Sequence, residues 1–285
     1  YEGWEGNYDL VKLNLRKEAV VEHLLEAVRF WVQEFGIDGL RLDVAYCLDK
    51  DFLRRLRAFC SDRKEDFFLL GEMLHGDYLE RMNGEMLHSA TNYECYKGLY
   101  SSFNSMNLFE INHSLQRQFG AEDWCLYRGA HLFSFVDNHD VTRAASILQN
   151  ERHLPLLYAL CFGMPGIPCV YYGSEWGALR PGCAQPEWNG LTDWIARLAE
   201  VKRAERALNW GAFRSVVLTN RQCIFERRCG EECVWVAVNA DEQPYWAAFD
   251  APGARAADLL SGREVVPSGG MELPPYSAAF WKWQH

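Results

Sequence analysis

The sequence contains no run of about 18 apolar residues, the length a helix needs to cross a bilayer, so it offers no membrane span. It has no excess of positive charge. Lys and Arg number 29 against 39 Asp and Glu, a formal net charge of -10. A field of that sign repels nucleic acid and anionic membrane surfaces and leaves a neutral ligand undisturbed. No CxxC pair occurs, and the gaps between Cys223, Cys229 and Cys233 do not suit a zinc site. There is no internal repeat, no low-complexity segment and no Pro- or Ser-rich linker near residue 210. The opening stretch, "YEGWEGNYDL", has neither an initiator Met nor a signal-peptide pattern, and reads as the middle of a longer polypeptide.

What is present is the material of a large core. The 285 residues are 49% hydrophobic and 14% aromatic, enough for one large domain or a large and a small one. Thirteen Tyr and eleven Trp supply flat amphipathic surfaces of the kind that stack on sugar rings, although any single one is more often core. Several of the ten cysteines, including Cys47, Cys60, Cys161 and Cys169, sit inside apolar or helical runs. They read as free buried thiols in a reducing compartment, which points to the cytoplasm.

The apolar spacing predicts a helix over residues 14–36, closed by Gly36. A strand "GLRLDVA" follows, then a helix capped by Asp49 and carrying Phe52, Leu53, Leu56 and Phe59. "DFFLLGEM" is the next strand. A short strand is expected near residues 89–93 and an amphipathic helix near residues 96–103. "HLFSFVDNHD" is a further strand, "LPLLYALCFG" a short apolar helix, "GIPCVYYGSEWG" a strand, and "LTDWIARLAEVKRAERAL" a last helix. Strand alternating with helix is the mark of parallel βα units. Charged or polar residues close these strands, at Arg41, Asp43, Glu72, His139 and Asp140. In a βα barrel the C-terminal strand ends carry the site. From residue 211 the texture changes to short β segments separated by turns. The expected architecture is therefore α/β: part of a (β/α)8 barrel over residues 1–210, with a small antiparallel β sandwich over residues 211–285 docked rigidly on it.

Taken together, "GLRLDVA", "LLGEM", "FSFVDNHDVTR" and "GMPGIPCVYYGSEWG" resemble, in order, the motifs that end the fourth, fifth, seventh and eighth barrel strands of the α-amylase family of glycoside hydrolases. "GWEGNYDLVKLNL" is similar to the approach to the fourth strand in maltogenic-amylase-like and neopullulanase-like members, and "LPPYSAAFWKW" to the end of the family's C-terminal β domain. The family's first motif, an Asp and a His after the third strand, has no counterpart, and neither do strands 1 to 3. The resemblance thus implies the C-terminal part of a longer enzyme. Its exposed barrel edges would invite either a homo-oligomer or a missing N-terminal half, and the isolated chain is expected to have little activity. A second departure is Cys47, where many members carry His or Glu. That weakens the family's argument for calcium, and no cofactor is expected.

The resemblance implies a retaining hydrolase of α-1,4-glucosidic bonds, with an α-glucan or maltooligosaccharide as substrate. Retention needs two carboxyl groups about 5–5.5 Å apart. Asp43, beside the fixed charge of Arg41, is expected to be ionised and to act as nucleophile. Glu72 follows the apolar run "FFLLG" with no cation adjacent in sequence. Desolvation there would favour the protonated form, as a proton donor requires. The resemblance gives Asp140 the task of gripping sugar hydroxyls and His139 a hydrogen bond to the same sugar, with Arg41 as the companion of the nucleophile. Blander readings exist for each motif alone. Arg-x-Asp on a strand is commonly an internal salt bridge, "GE" says little, and "NHD" reads equally as a turn. Arg143 reads as a structural ion-pair partner and Glu175 as structural. A silent glucan-binding or scaffold relative, or a transglycosylase or isomerase of the same family, are the rival functions; silent relatives usually lose one of the three acids, and all three are here.

Overall fold

The computed structural model describes residues 1–179 and 188–284. They fold as two compact units, Tyr1–Thr91 and Asn92–His285. No described helix is long and apolar enough to cross a membrane.

The first unit opens with the hairpin β1 (Gly3–Trp4) and β2 (Asn7–Val11). Its two turn residues, Glu5 and Gly6, both have positive φ, at 47° and 81°, the backbone a tight right-twisted hairpin requires. Helix α1 (Glu18–Phe35) ends as the sequence predicts: Gly36 is left-handed and its N–H donates to the Val32 carbonyl. Strand β3 (Gly39–Leu42) leads to α2 (Lys50–Ser61). The Asp49 carboxylate caps α2 by accepting from the N–H groups of Asp51 and Phe52. Phe52, Leu53, Leu56 and Cys60 fall on one face of α2 and are buried. Each such apolar side chain contributes on the order of 1.5–3 kcal/mol. Strands β4 (Phe68–Gly71) and β5 (Ser89–Ala90) complete a parallel sheet in the order β3-β4-β5. Leu42 lies opposite Gly71, and Gly71 opposite Ala90. Gly71 is needed there, because a Cβ would lie 2.4 Å from Leu87 Cδ1 and 2.9 Å from Ala45 Cβ.

The second unit begins with α3 (Tyr93–Asn104) and α4 (Phe109–Phe119). They approach closely at Gly98, where a Cβ would meet Ile111 Cδ1 at 3.3 Å. Strand β6 (Phe133–Phe135), the single turn α5 (Ala144–Ile147), α6 (Leu154–Gly163) and β7 (Ile167–Cys169) follow. Strands β6 and β7 pair in parallel. Helix α6 is apolar on every side and buried at every position but Pro155, as a core helix should be. After α7 (Gly190–Ala204) and α8 (Arg206–Trp210) the chain becomes all β. The strands are β8 (Ala212–Leu218), β9 (Gln222–Cys229), β10 (Glu232–Asn239), β11 (Tyr245–Ala248), β12 (Arg255–Asp258), β13 (Glu264–Val265), β14 (Gly270–Leu273) and β15 (Ser277–Gln284). Six form an antiparallel sheet in the order β13-β12-β15-β10-β9-β8, and β11 pairs with β14 in a second sheet. Both sheets feed one core, in which Trp235, Trp281 and Trp283 pack with Ala247 and Leu273.

One buried basic side chain ties this sheet to the helices before it, and a second ties those helices to one another. Lys202 of α7 donates to the carbonyls of Met164 and Leu208, and Arg227 of β9 donates to those of Gly163 and Gly211. The Arg227 guanidinium at the C-terminal end of α6 also complements the helix dipole. The nine described cysteines are free thiols. Burial pushes Cys60 up to about 11, and Cys161 and Cys223 up to about 12.

Candidate active site

The ends of β3 and β4 converge on one guanidinium. Arg41, the third residue of β3, donates from Nη1 to Asp43 Oδ1, and its Nη2 forms an ion pair with Glu72 Oε1 at 2.9 Å. The register explains the meeting. Leu42 pairs with Gly71, so Asp43 and Glu72 each stand one residue beyond the last paired position of adjacent parallel strands. Such strands lie about 4.8 Å apart. The two carboxyl groups differ sharply in environment: the Asp43 side chain is 73% exposed and that of Glu72 only 7%.

The structure corrects one part of the sequence reading. A cation does adjoin Glu72, although none is adjacent in sequence. Arg41 reaches it across the sheet. The second oxygen, Oε2, accepts the backbone N–H of Val44 at 2.9 Å. Val44 has φ 41° and ψ 43°, a left-handed conformation that is rare for a β-branched residue. Strain of this kind costs about 1–3 kcal/mol and persists only where surrounding contacts impose it. His75, exposed, lies beside Tyr46 with ring centroids 5.0 Å apart. Burial, and next the negative charge of Glu5, raise the Tyr46 phenol above its ordinary value; Glu72 contributes as well.

His139 and Asp140 follow β6 in the second unit. His139 Nε2 lies 3.1 Å from Asp140 Oδ2, and both side chains are about half exposed. The Asp140 N–H donates to Asn138 Oδ1 at 2.8 Å, so the loop is an Asx turn, as the "NHD" spelling allows. Asn138 in turn donates to the Tyr93 hydroxyl. Behind the turn lies a network of which sequence reading singles out only Arg143, as a structural ion-pair partner. Asp137, 1% exposed, accepts from Ser174 Oγ at 2.5 Å and from the Ala144 N–H at 2.9 Å. Arg143, 2% exposed, stands 3.8 Å from Asp137 and donates to Ser174 Oγ and the Tyr172 carbonyl. Its guanidinium also faces the Tyr171 ring at 4.5 Å. The run of polar residues after an apolar strand is the one sequence signal that bears on Asp137, and it does not tell a buried carboxylate from an exposed one.

Among the described residues no three His, Cys, Asp or Glu side chains gather as metal ligands. A separate cleft of about 950 Å³ in the first unit is lined by Lys12, Arg16, Cys47, Asp49 and Lys50, and none of Arg41, Asp43 and Glu72 lines it.

A fold with parallel strands ended by Arg41-x-Asp43 and Glu72, followed by a "VDNHD" strand and an antiparallel sheet, defines a class. Residues 5–206 match the family model described as alpha amylase, catalytic domain, and the chain belongs to that family. A cyclomaltodextrinase of Geobacillus thermopakistaniensis is 28% identical to it over 305 aligned residues, covering 95% of this chain and 50% of the relative. An intracellular maltogenic amylase of Bacillus subtilis is 30% identical over 178 residues, 62% of this chain and 30% of the relative. Among solved structures, Ttha1563 of Thermus thermophilus superposes with a TM-score of 0.81 at 26% identity, covering all of this chain and 66% of that one. The α-amylase of Geobacillus thermoleovorans in complex with acarbose has the same fold, with a TM-score of 0.82 at 22% identity, over 96% of this chain and 66% of that one. The chain spans about half the length of the cyclomaltodextrinase and of a maltogenic α-amylase of Bacillus acidopullulyticus.

Proposed function

We propose that the polypeptide carrying this chain hydrolyses α-1,4-glucosidic bonds in starch-like glucans or maltooligosaccharides, with retention of configuration at the anomeric carbon. One observation carries the reading: Asp43 and Glu72 share the guanidinium of Arg41 at the ends of adjacent parallel strands. A retaining glycosidase needs two carboxyl groups close together, and this shared partner supports that reading. The family membership and the α-glucan enzymes among the relatives support the substrate class.

In this reading Asp43, exposed and held by Arg41, attacks the anomeric carbon. Glu72, buried and fixed through both oxygens, gives its proton to the departing glycosidic oxygen. The covalent glycosyl ester on Asp43 is then cleaved by water, whose proton returns to Glu72. Arg41 orients both groups. Asp140 grips sugar hydroxyls in the distorted ring, and His139 donates a hydrogen bond to the same sugar. Asp137, Arg143 and Ser174 act behind them as a rigid support. Because the chain is about half as long as its curated relatives, residues beyond these 285 are proposed to complete the activity.

The test is hydrolysis of maltooligosaccharides followed by NMR of the nascent anomer, comparing the parent polypeptide with Asp43→Asn. The α anomer should appear first, and the variant should lose activity by at least about a thousandfold, the scale on which removing a catalytic group acts. Release of the β anomer, or near-normal activity of Asp43→Asn, overturns the assignment.

A further inference from the structure

In a regular parallel ladder, a residue accepts at its carbonyl from the residue just beyond its cross-strand neighbour. Glu72 lies opposite Asp43, since Leu42 pairs with Gly71 and the Glu72 N–H donates to the Leu42 carbonyl at 2.9 Å. The Glu72 carbonyl should therefore accept from Val44. It accepts instead from Ala45, at 3.0 Å. One extra residue has been inserted into the end of β3, which makes the turn a bulge of the kind that re-aims groups beside functional sites. The inserted residue is Val44, the one in the left-handed conformation. Its N–H, released from the ladder, turns to Glu72 Oε2 at 2.9 Å.

We propose that Val44 is a positioning residue: the bulge exists to deliver its backbone amide to the carboxyl group of Glu72, fixing the plane of that group and occupying one of its two oxygens. This rests on the reading of Glu72 as proton donor. Two partners then divide the carboxylate, the Arg41 guanidinium as an ion pair at Oε1 and the Val44 N–H as a hydrogen bond at Oε2. Rotation of the side chain would break both bonds. An exposed valine side chain contributes nothing specific to such a role; the valine here is half-buried, and Ala45 beyond it is fully buried, so packing holds the strained turn in place. Sequence inspection sees only an apolar residue in an apolar strand.

The test uses the NMR titration of the Glu72 side-chain carboxyl carbon in the whole chain. The charged or titratable groups facing it within the unit are Arg41, with Asp43 on its other nitrogen, and the Tyr46 phenol. In the unaltered chain, the Val44 amide proton should shift with pH at the same midpoint as the Glu72 carboxyl carbon. Replacing the Val44 amide by an ester, through its α-hydroxy acid, removes the N–H donor and leaves an oxygen in its place while keeping the side chain. The midpoint should then rise by about one pH unit, a tenfold change in ionisation constant. Val44→Gly keeps the N–H and tolerates positive φ, so its midpoint should stay where it is. An amide proton that ignores the Glu72 titration, or a midpoint unmoved by the ester, overturns the proposal. Glu72→Gln separately tests the reading beneath it. If that variant remains active while the titrations behave as expected, the amide still holds Glu72 but Glu72 is not the proton donor.

Discussion

Arg41 Nη2 lies 2.9 Å from Glu72 Oε1, and the other terminal nitrogen of the same guanidinium holds Asp43. A planar fork with fixed donor directions can serve two carboxyl groups at once, and a lysine ammonium on a flexible stem cannot hold them in that geometry. The pair that the proposed chemistry needs is thus organised by a third residue.

Arg41→Lys keeps the charge and loses the fork. We expect kcat/KM for a maltooligosaccharide to fall by about 10²–10³, the usual consequence of removing one preorganised donor. Circular dichroism should remain that of the native fold. Activity within about threefold of the parent would show that charge alone suffices.

Gly71→Ala tests the space beneath Glu72. The new Cβ has no room between Leu87 Cδ1 and Ala45 Cβ. Overpacking of this sort costs about 1–3 kcal/mol. Urea unfolding should show that loss. Because Gly71 immediately precedes Glu72, activity should fall further than stability alone explains.

Glu226 supplies a pH dependence in the second unit. Burial pushes its carboxyl group up, but hydrogen bonds from Arg228, Arg214, Trp235 and Cys233 outweigh that and bring it down to about 2. A carboxyl group lowered by folding stabilises the native state above its unfolded value, near 4.3, and loses that contribution as pH falls through the folded value. The full difference is about 3 kcal/mol. Glu226→Gln should therefore be less stable than the parent at pH 7, and the gap should close between about pH 4.5 and pH 2. Equilibrium denaturation across that range reads it directly.

Asp137→Ala removes the carboxylate from a buried ion pair and leaves Arg143, 2% exposed, without it. Stranding one member of such a pair costs about 3–5 kcal/mol. The melting temperature should drop by several degrees, and Ser174→Ala should lower it less, because the ion pair survives.

Much of this architecture is legible in the residues, and the reasons are local. The 18-residue helix α1 announces itself by its spacing, and Gly36 and Asp49 mark boundaries through backbone freedom and capping. Helix α4 escapes sequence inspection because its apolar residues, Ile111, Leu115 and Phe119, are thinly spread among polar ones; it is held by packing on α3 at Gly98. Strands β13 and β14 are hidden because they are short and take their stability from partners distant in sequence, β12 and β11. At the site, Arg41, Asp43, Glu72, His139 and Asp140 can be named from their positions at strand ends. The contact of Arg41 with Glu72 cannot, since it depends on cross-strand register. Nor can the bulge at Val44, where an ordinary apolar residue adopts an unusual backbone.

The buried basic side chains beneath α6 have a consequence for how the second unit comes apart. Lys202 and Arg227 join the last turn of α6 to α7, α8 and β9 through main-chain carbonyls alone. Peeling the sheet away from the helices would break the bond from Arg227 to the Gly163 carbonyl and leave that side of a buried guanidinium without a partner. Residue 211, where the texture of the sequence changes, therefore marks no seam at which a protease could gain entry, and calorimetry should record helices and sheet melting together in a single cooperative peak.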